Sequence, residues 1–189
     1  MRIIISFIVC SFIFQIQLLA QSNSYQLSTS KSKLTWTGKA AFSSYSLSGT
    51  IRAKSGTLLT EENQIKNAHL TINTKTIHSS IKQLKQHLSS EDFFDVKKFP
   101  AAHFELNHFV PLASGAHLAQ GWLTIKGTKK AFECPVTLAL NEQQIVISGV
   151  AIINRTEFGV NYNSPTIFTS LKEHAIADDF ELNFELIFE

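Results

Sequence analysis

The chain has 189 residues, 44% hydrophobic and 17% charged, with 8 Gly, 4 Pro and 2 Cys. Charge this sparse beside this much apolar content excludes a disordered chain, and so few Gly and Pro exclude a collagenous or low-complexity one. Two cysteines cannot form a disulfide framework, and 17 basic against 15 acidic residues leave no electrostatic footprint for nucleic acid or anionic membrane.

In chain order, Arg2 precedes the apolar run IIISFIVCSFIF, which ends in QLLA at Ala20. A short basic start, an apolar core and a small residue at the end form the pattern of a secretory signal peptide, residues 1–20, cleaved before Gln21. Its rival is a retained anchor, for which the run is short and diluted by Gln15 and Gln17. A lipoprotein signal needs small residues before its cysteine, and Cys10 lies inside the apolar core. Cleavage leaves one domain, 21–189, with Cys134 as its single cysteine. No later run is long enough to span a bilayer as a helix.

Period two governs the rest. Strands are expected at 34–42, 47–59, 65–74, 102–110, 117–126, 132–140, 144–154 and 180–188. In the last, Phe180, Leu182, Phe184, Leu186 and Phe188 alternate with mainly polar residues, so one face is buried and the other wet. Phe132, Cys134, Val136, Leu138 and Leu140 repeat the pattern, with Pro135 on the opposite register marking an edge or a bulge. About eight short strands with few helices between them predict an antiparallel sandwich or barrel. SIKQLKQHL (80–88) breaks the rhythm with Ile81, Leu84 and Leu88 at helical spacing. Ser80 and Gln83 suggest a capping box there. A second helical turn is expected from Ser90, with Glu91 and Asp92 at its start and Pro100 after it.

The chemistry expected of an enzyme is missing. His103 and His108 are five apart and would face opposite ways on an unbroken strand, and HExxH, HxH and a cysteine pair are all lacking. No metal and no cofactor is expected. Ser79-Ser80-Ile81-Lys82 matches SxxK, but Ser28 to Lys31 matches equally, and neither has an SDN partner. Cys134, among apolar alternates, reads as a small buried hydrophobe. What remains is a container. Eight strands make a barrel that side chains can fill or that holds one slender ligand. Trp36, Phe42, Leu70, Ile72, Phe104, Trp122, Phe132, Phe180 and Phe184 are the aromatic or bulky residues expected on its wall, as packing or as ligand contacts.

Three segments carry a resemblance: HLSSEDFFDVKKFPAAHF (87–104), AQGWLTIKGTKKAFECPV (119–136) and INRTEFGVNY (153–162). In order and spacing they resemble the YceI-like family, and SGTIRAKSGTL (48–58) resembles its early element. One departure is AAFSSYS (40–46), where the family often has a histidine. The resemblance implies an all-β, lipocalin-like antiparallel barrel with a short helical insert. It also implies a periplasmic or secreted protein that carries a long isoprenoid or other amphiphilic lipid without catalysis. Leu88, Phe93, Phe94, Pro100, Phe104, Gly127, Arg155 and Gly159 match family positions that look architectural. An outer-membrane barrel and a stress protein or enzyme acting on a bound lipid are the alternatives, and a homodimer stays open.

Arg155 continues the apolar row Ile145, Ile147, Gly149, Ala151, Ile153. A buried guanidinium needs a partner, and Asp92 or Asp95 is expected to supply a bidentate one, latching the helical insert to the barrel end. The alternative is that Arg155 meets a ligand's polar head.

Overall fold

The computed structural model describes residues 22–140, 143–168, 170 and 174–189. The expected signal peptide, with Cys10, lies outside the described residues. The strands are β1 (Ser22–Gln26), β2 (Lys33–Ala40), β3 (Ser46–Glu61), β4 (Gln64–His78), β5 (Ala101–Pro111), β6 (His117–Ile125), β7 (Thr128–Leu140), β8 (Ile145–Asn154) and β9 (Ile176–Phe188). A helix α1 (Lys82–Ser89) follows β4, and a 3₁₀ turn (Arg155–Phe158) follows β8.

The sheet runs β1-β3-β2-β9-β8-β7-β6-β5-β4, and β3 pairs again with β4, closing a barrel of eight antiparallel strands. The fold is all-β and lipocalin-like. The polar SNSYQ of β1 gave no periodic signal; it adds to the second half of β3, Ser22 opposite Glu61 through Gln26 opposite Thr57. Closure pairs β3 with β4 across the seam and leaves β1 as a five-residue edge strand. Two hairpins turn on left-handed residues: Glu62-Asn63 between β3 and β4, and Lys126-Gly127 between β6 and β7. At Gly127 a Cβ would lie 2.9 Å from the Phe99 ring, so this glycine serves both the turn and the ring over it.

Pro135 marks the end of a ladder. β7 pairs with β8 only from Val136–Gly149 to Leu140–Ile145. Next in register, Pro135 has no N–H to offer β8. The Cys134 thiol lies 3.6 Å from the Val150 carbonyl and donates to it. Cys134 is buried, and burial pushes its pKa up to about 11, which makes it inert.

Two details of the insert differ from the sequence reading. The capping box is absent: the residue before α1 is Ile81, without a side-chain cap, and Ser79 Oγ instead accepts from Ile81 N. The second helical turn is a set of tight turns. Ser90 O accepts from Phe93 N and Asp95 N, and Asp95 O accepts from Lys98 N and Phe99 N. Asp95 takes φ 45°, which stops a helix. Phe93 and Val96 are thereby buried under the barrel end.

Candidate functional site

The barrel interior has two halves. Around Leu58, Leu106, Cys134, Val136, Leu186 and Phe188 it is filled, with Phe104, Phe109, Phe132 and Phe184 packed in. Phe104 meets Phe132 edge to face at 6.3 Å. Toward α1 the inward positions include Gly38, Ala102, Ala175 and Ala177 as well as larger residues, and a cavity of about 300 Å³ opens among them. That is the lower end of the range for small-molecule sites. Its wall is almost wholly apolar: Trp36, Ile72, Leu123, Ile153, Phe180 and Leu182 below, Leu84, Leu88, Phe93 and Phe94 from the insert above.

Trp36 is set by a missing side chain. Its indole lies across Gly49, where a Cβ would fall 1.9 Å from His78 O and 2.5 Å from the ring. Trp36 Nε1 donates to His78 O at 3.2 Å, so the polar edge of the ring is satisfied and its face is left for the cavity. The exposed lining residues are Lys39, Tyr45, His174 and Asp179. They place the mouth at the β2–β3 connection and the start of β9.

Arg155, 3% exposed, also borders the cavity. Its Nη1 donates to Val160 O (2.7 Å), its Nη2 to Ile176 O (2.9 Å) and its Nε to Ala177 O (3.0 Å). Asp178 Oδ1 stands 3.7 Å from Nη2, an ion pair without a hydrogen bond. Thr166 Oγ1 holds the other oxygen at 2.7 Å. Burial lowers the guanidinium's pKa and Asp178 raises it back in part, leaving it charged at any working pH. The neighbouring family residues serve the same corner. Asn154 Oδ1 accepts from Thr156 N, and Gly159 closes the turn at φ 73°.

The latch expected to run to Asp92 or Asp95 is therefore different. Arg155 ties the segment after β8 to the start of β9, and its carboxylate is Asp178. It meets the insert at the Phe93 ring, 5.7 Å from the guanidinium carbon. The three carbonyls are backbone acceptors, which no side-chain pattern announces.

Of the nine expected wall residues, Trp36, Ile72 and Phe180 line the cavity. Leu70, Phe104, Phe132 and Phe184 pack against the main core in the filled half. Two are displaced outward. Phe42 is 70% exposed because β2 stops at Ala40 and Phe42 sits in the connection. Trp122 is 40% exposed because β6 turns Ala119, Gly121, Leu123 and Ile125 inward. Leu84, Leu88, Phe93 and Phe94, which close the cavity, were legible as an apolar helix face and a ring pair but not as wall.

An antiparallel eight-stranded barrel with an apolar cavity under a helical cover defines a lipocalin-like class of protein. The family model for the YceI-like domain matches residues 25–188, and the chain belongs to that family. No curated protein matches the chain. Among solved structures, BcnA of Burkholderia cenocepacia is 23% identical, covering 85% of this chain and 98% of its own at TM-score 0.69. A polyisoprenoid-binding domain of Saccharophagus degradans, implicated in plant cell wall breakdown, is 13% identical over 87% and 97% at TM-score 0.65. The Campylobacter jejuni YceI protein is 23% identical over 66% and 72% at TM-score 0.53.

Proposed function

We propose that this protein is an exported, periplasmic or secreted, non-catalytic carrier that holds the apolar chain of an isoprenoid or similar amphiphilic lipid in the cavity. The observation that carries the reading is a cavity walled by apolar side chains at one end of an otherwise filled barrel. Such a wall retains methyls and methylenes at about 0.8 kcal/mol per buried CH₂ and needs no reacting group. Membership of the YceI-like family and the polyisoprenoid-binding domain among its structural neighbours support the same ligand class.

The outer-membrane alternative asks for an apolar outer band. Here the outer wall bears the Lys39–Glu181 and Lys129–Glu105 ion pairs. An enzymatic role would ask for a nucleophile or an acid and base set against the guest; His174 and Asp179 stand exposed at the mouth, away from the apolar floor, and Asp178 beside Arg155 accepts from Thr166 Oγ1. The test is native mass spectrometry of the purified protein, followed by organic extraction and uptake of retinol, a fluorescent isoprenoid alcohol. A bound isoprenoid mass, or saturable retinol uptake with recovery of unchanged alcohol, is expected. Protein that carries nothing and takes up no retinol or farnesol would overturn the reading, and turnover of the alcohol would replace it with an enzymatic one.

A further inference from the structure

Exposed aromatic rings are unevenly placed on this molecule. Five aromatic residues rank among the exposed large hydrophobics: Phe42 (70%), Tyr45 (61%), Trp122 (40%), Tyr162 (38%) and Phe168 (48%). Trp122 stands on the barrel wall, where Lys129 covers it at 5.7 Å from the ring centroid. The other four all belong to connections at the cavity-mouth end, joined there by Ile81 and Ile167. Among the described residues, the large hydrophobics exposed at the far end are aliphatic: Leu59, Val110, Leu112 and Leu140.

These connections touch one another. Ala41 N donates to Ala175 O and Ile176 N to Asn163 O, so the 41–45 connection adjoins the segment carrying Ile167 and Phe168. Tyr162 packs on His87 of α1 at 4.3 Å between ring centroids. Tyr45 both lines the cavity and stands at the rim. The outward side of α1 carries Lys82, Gln83, Lys85 and Gln86, all exposed, with no acid in its first turn. The carboxylates nearest in sequence, Glu91 and Asp92, follow the other end of the helix, about 12 Å from its start at 1.5 Å per residue.

We infer that this rim is a membrane-docking surface: Phe42, Tyr45 and Phe168 enter the interfacial layer of a phospholipid bilayer while Lys82 and Lys85 meet its anionic headgroups, setting the cavity mouth against the lipid. The inference rests on the lipid-carrier reading, because it explains where an apolar guest passes without crossing water. Rings with an apolar body favour the headgroup boundary, and lysines beside them add attraction to anionic lipid, a local charge on α1 that the near balance of 17 basic and 15 acidic residues over the whole chain does not register.

The test uses the full purified protein, stripped of lipid, with vesicles of phosphatidylcholine and phosphatidylglycerol. Wild type is expected to float with the vesicles. The double variant Phe42→Asp/Phe168→Asp is expected to lose roughly tenfold or more in partitioning, and Leu140→Asp at the far end to behave as wild type. Phe42→Ser/Phe168→Ser gives the same comparison should the aspartates disturb folding. Retinol added from ethanol should bind all variants alike, whereas its transfer out of vesicles should slow by a similar factor in the rim variants alone. Wild type that fails to float, or rim variants that float equally well, would overturn docking. So would sedimentation analysis showing a dimer that the rim variants dissolve, which makes the rim a self-interface. Flotation without retinol binding in any variant would instead remove the cargo reading and leave the docking surface standing.

Discussion

Replacing Arg155 with alanine tests how the cavity end is held. The substitution removes three charge-assisted hydrogen bonds, to Val160 O, Ile176 O and Ala177 O. Each bond of this kind is worth about 1.5–3 kcal/mol, but the three share one group and do not add. Losing one partner of a buried pair costs about 3–5 kcal/mol. Asp178 is only 11% exposed but keeps Thr166 on one oxygen, so the low end applies, about 3 kcal/mol. For a domain of this size that is roughly 6–12 °C in Tm. Thermal melting of lipid-stripped protein measures it. Arg155→Lys should recover only part, since one ammonium cannot span three carbonyls. In double-mutant cycles Arg155 should couple to Asp178 and not to Asp92 or Asp95. An alanine variant that melts within about 2 °C of wild type, below what 1 kcal/mol produces, would refute the loop-tying role. If it also lost retinol binding, Arg155 would be a ligand contact.

Other substitutions probe the remaining steps. Ala102→Phe projects a ring into the cavity and should abolish retinol binding while leaving Tm near wild type, read by fluorescence titration and melting; undiminished binding would move the guest elsewhere. Gly49→Ala drives a Cβ into His78 O and the Trp36 ring and should cost about 3 kcal/mol by urea denaturation, the upper end for overpacking; an unchanged midpoint would show that β3 shifts freely. The Cys134 thiol, raised to about 11 by burial, is protonated in the fold at pH values where it ionises in the unfolded chain, at about 8.5. Its contribution is therefore full below about pH 8.5 and lost as pH rises toward 11. Wild type should lose stability over that window relative to Cys134→Ala, and thiol reagents should label the folded protein slowly at neutral pH.

How much of this was legible depended on whether a strand carried one apolar parity or two. In β9 only one parity is consistently apolar, and Phe180, Leu182, Phe184, Leu186 and Phe188 all turn inward. In β6 both Leu118, Trp122 and Ala119, Leu123, Ile125 are apolar. The size of Trp122 favoured the wrong set; the register with β5 and β7, a non-local fact, chose the other. The helix was legible from Leu84 and Leu88, but its cap was not, because Ser79 replaced the capping box with a turn. The cavity itself was illegible. It exists because Gly38, Ala102, Ala175 and Ala177, spread over three parts of the chain, converge on one end. The partner of Arg155 was hidden for a related reason: its acceptors are carbonyls brought close only when β8 and β9 pair.

The same division of the barrel limits the guest. A long apolar chain cannot continue past the cavity floor without displacing Phe104, Phe132 or Phe184, partly buried rings that each contribute up to about 3 kcal/mol where they pack. Leaving the excess outside is cheaper, provided something apolar covers it at the mouth, where Tyr45 stands. At roughly 30 Å³ per water-sized group, a cavity of about 300 Å³ holds about ten carbons before any wall moves. Affinity for linear isoprenoid alcohols should therefore rise steeply up to geraniol, at ten carbons, and gain little with farnesol or geranylgeraniol, because further units add contact only at the rim. Competition titrations against retinol with geraniol, farnesol and geranylgeraniol read the series directly. A constant gain with every added unit would mean that the filled half opens to the guest, and that the aromatic packing below the cavity is a closed gate rather than a floor.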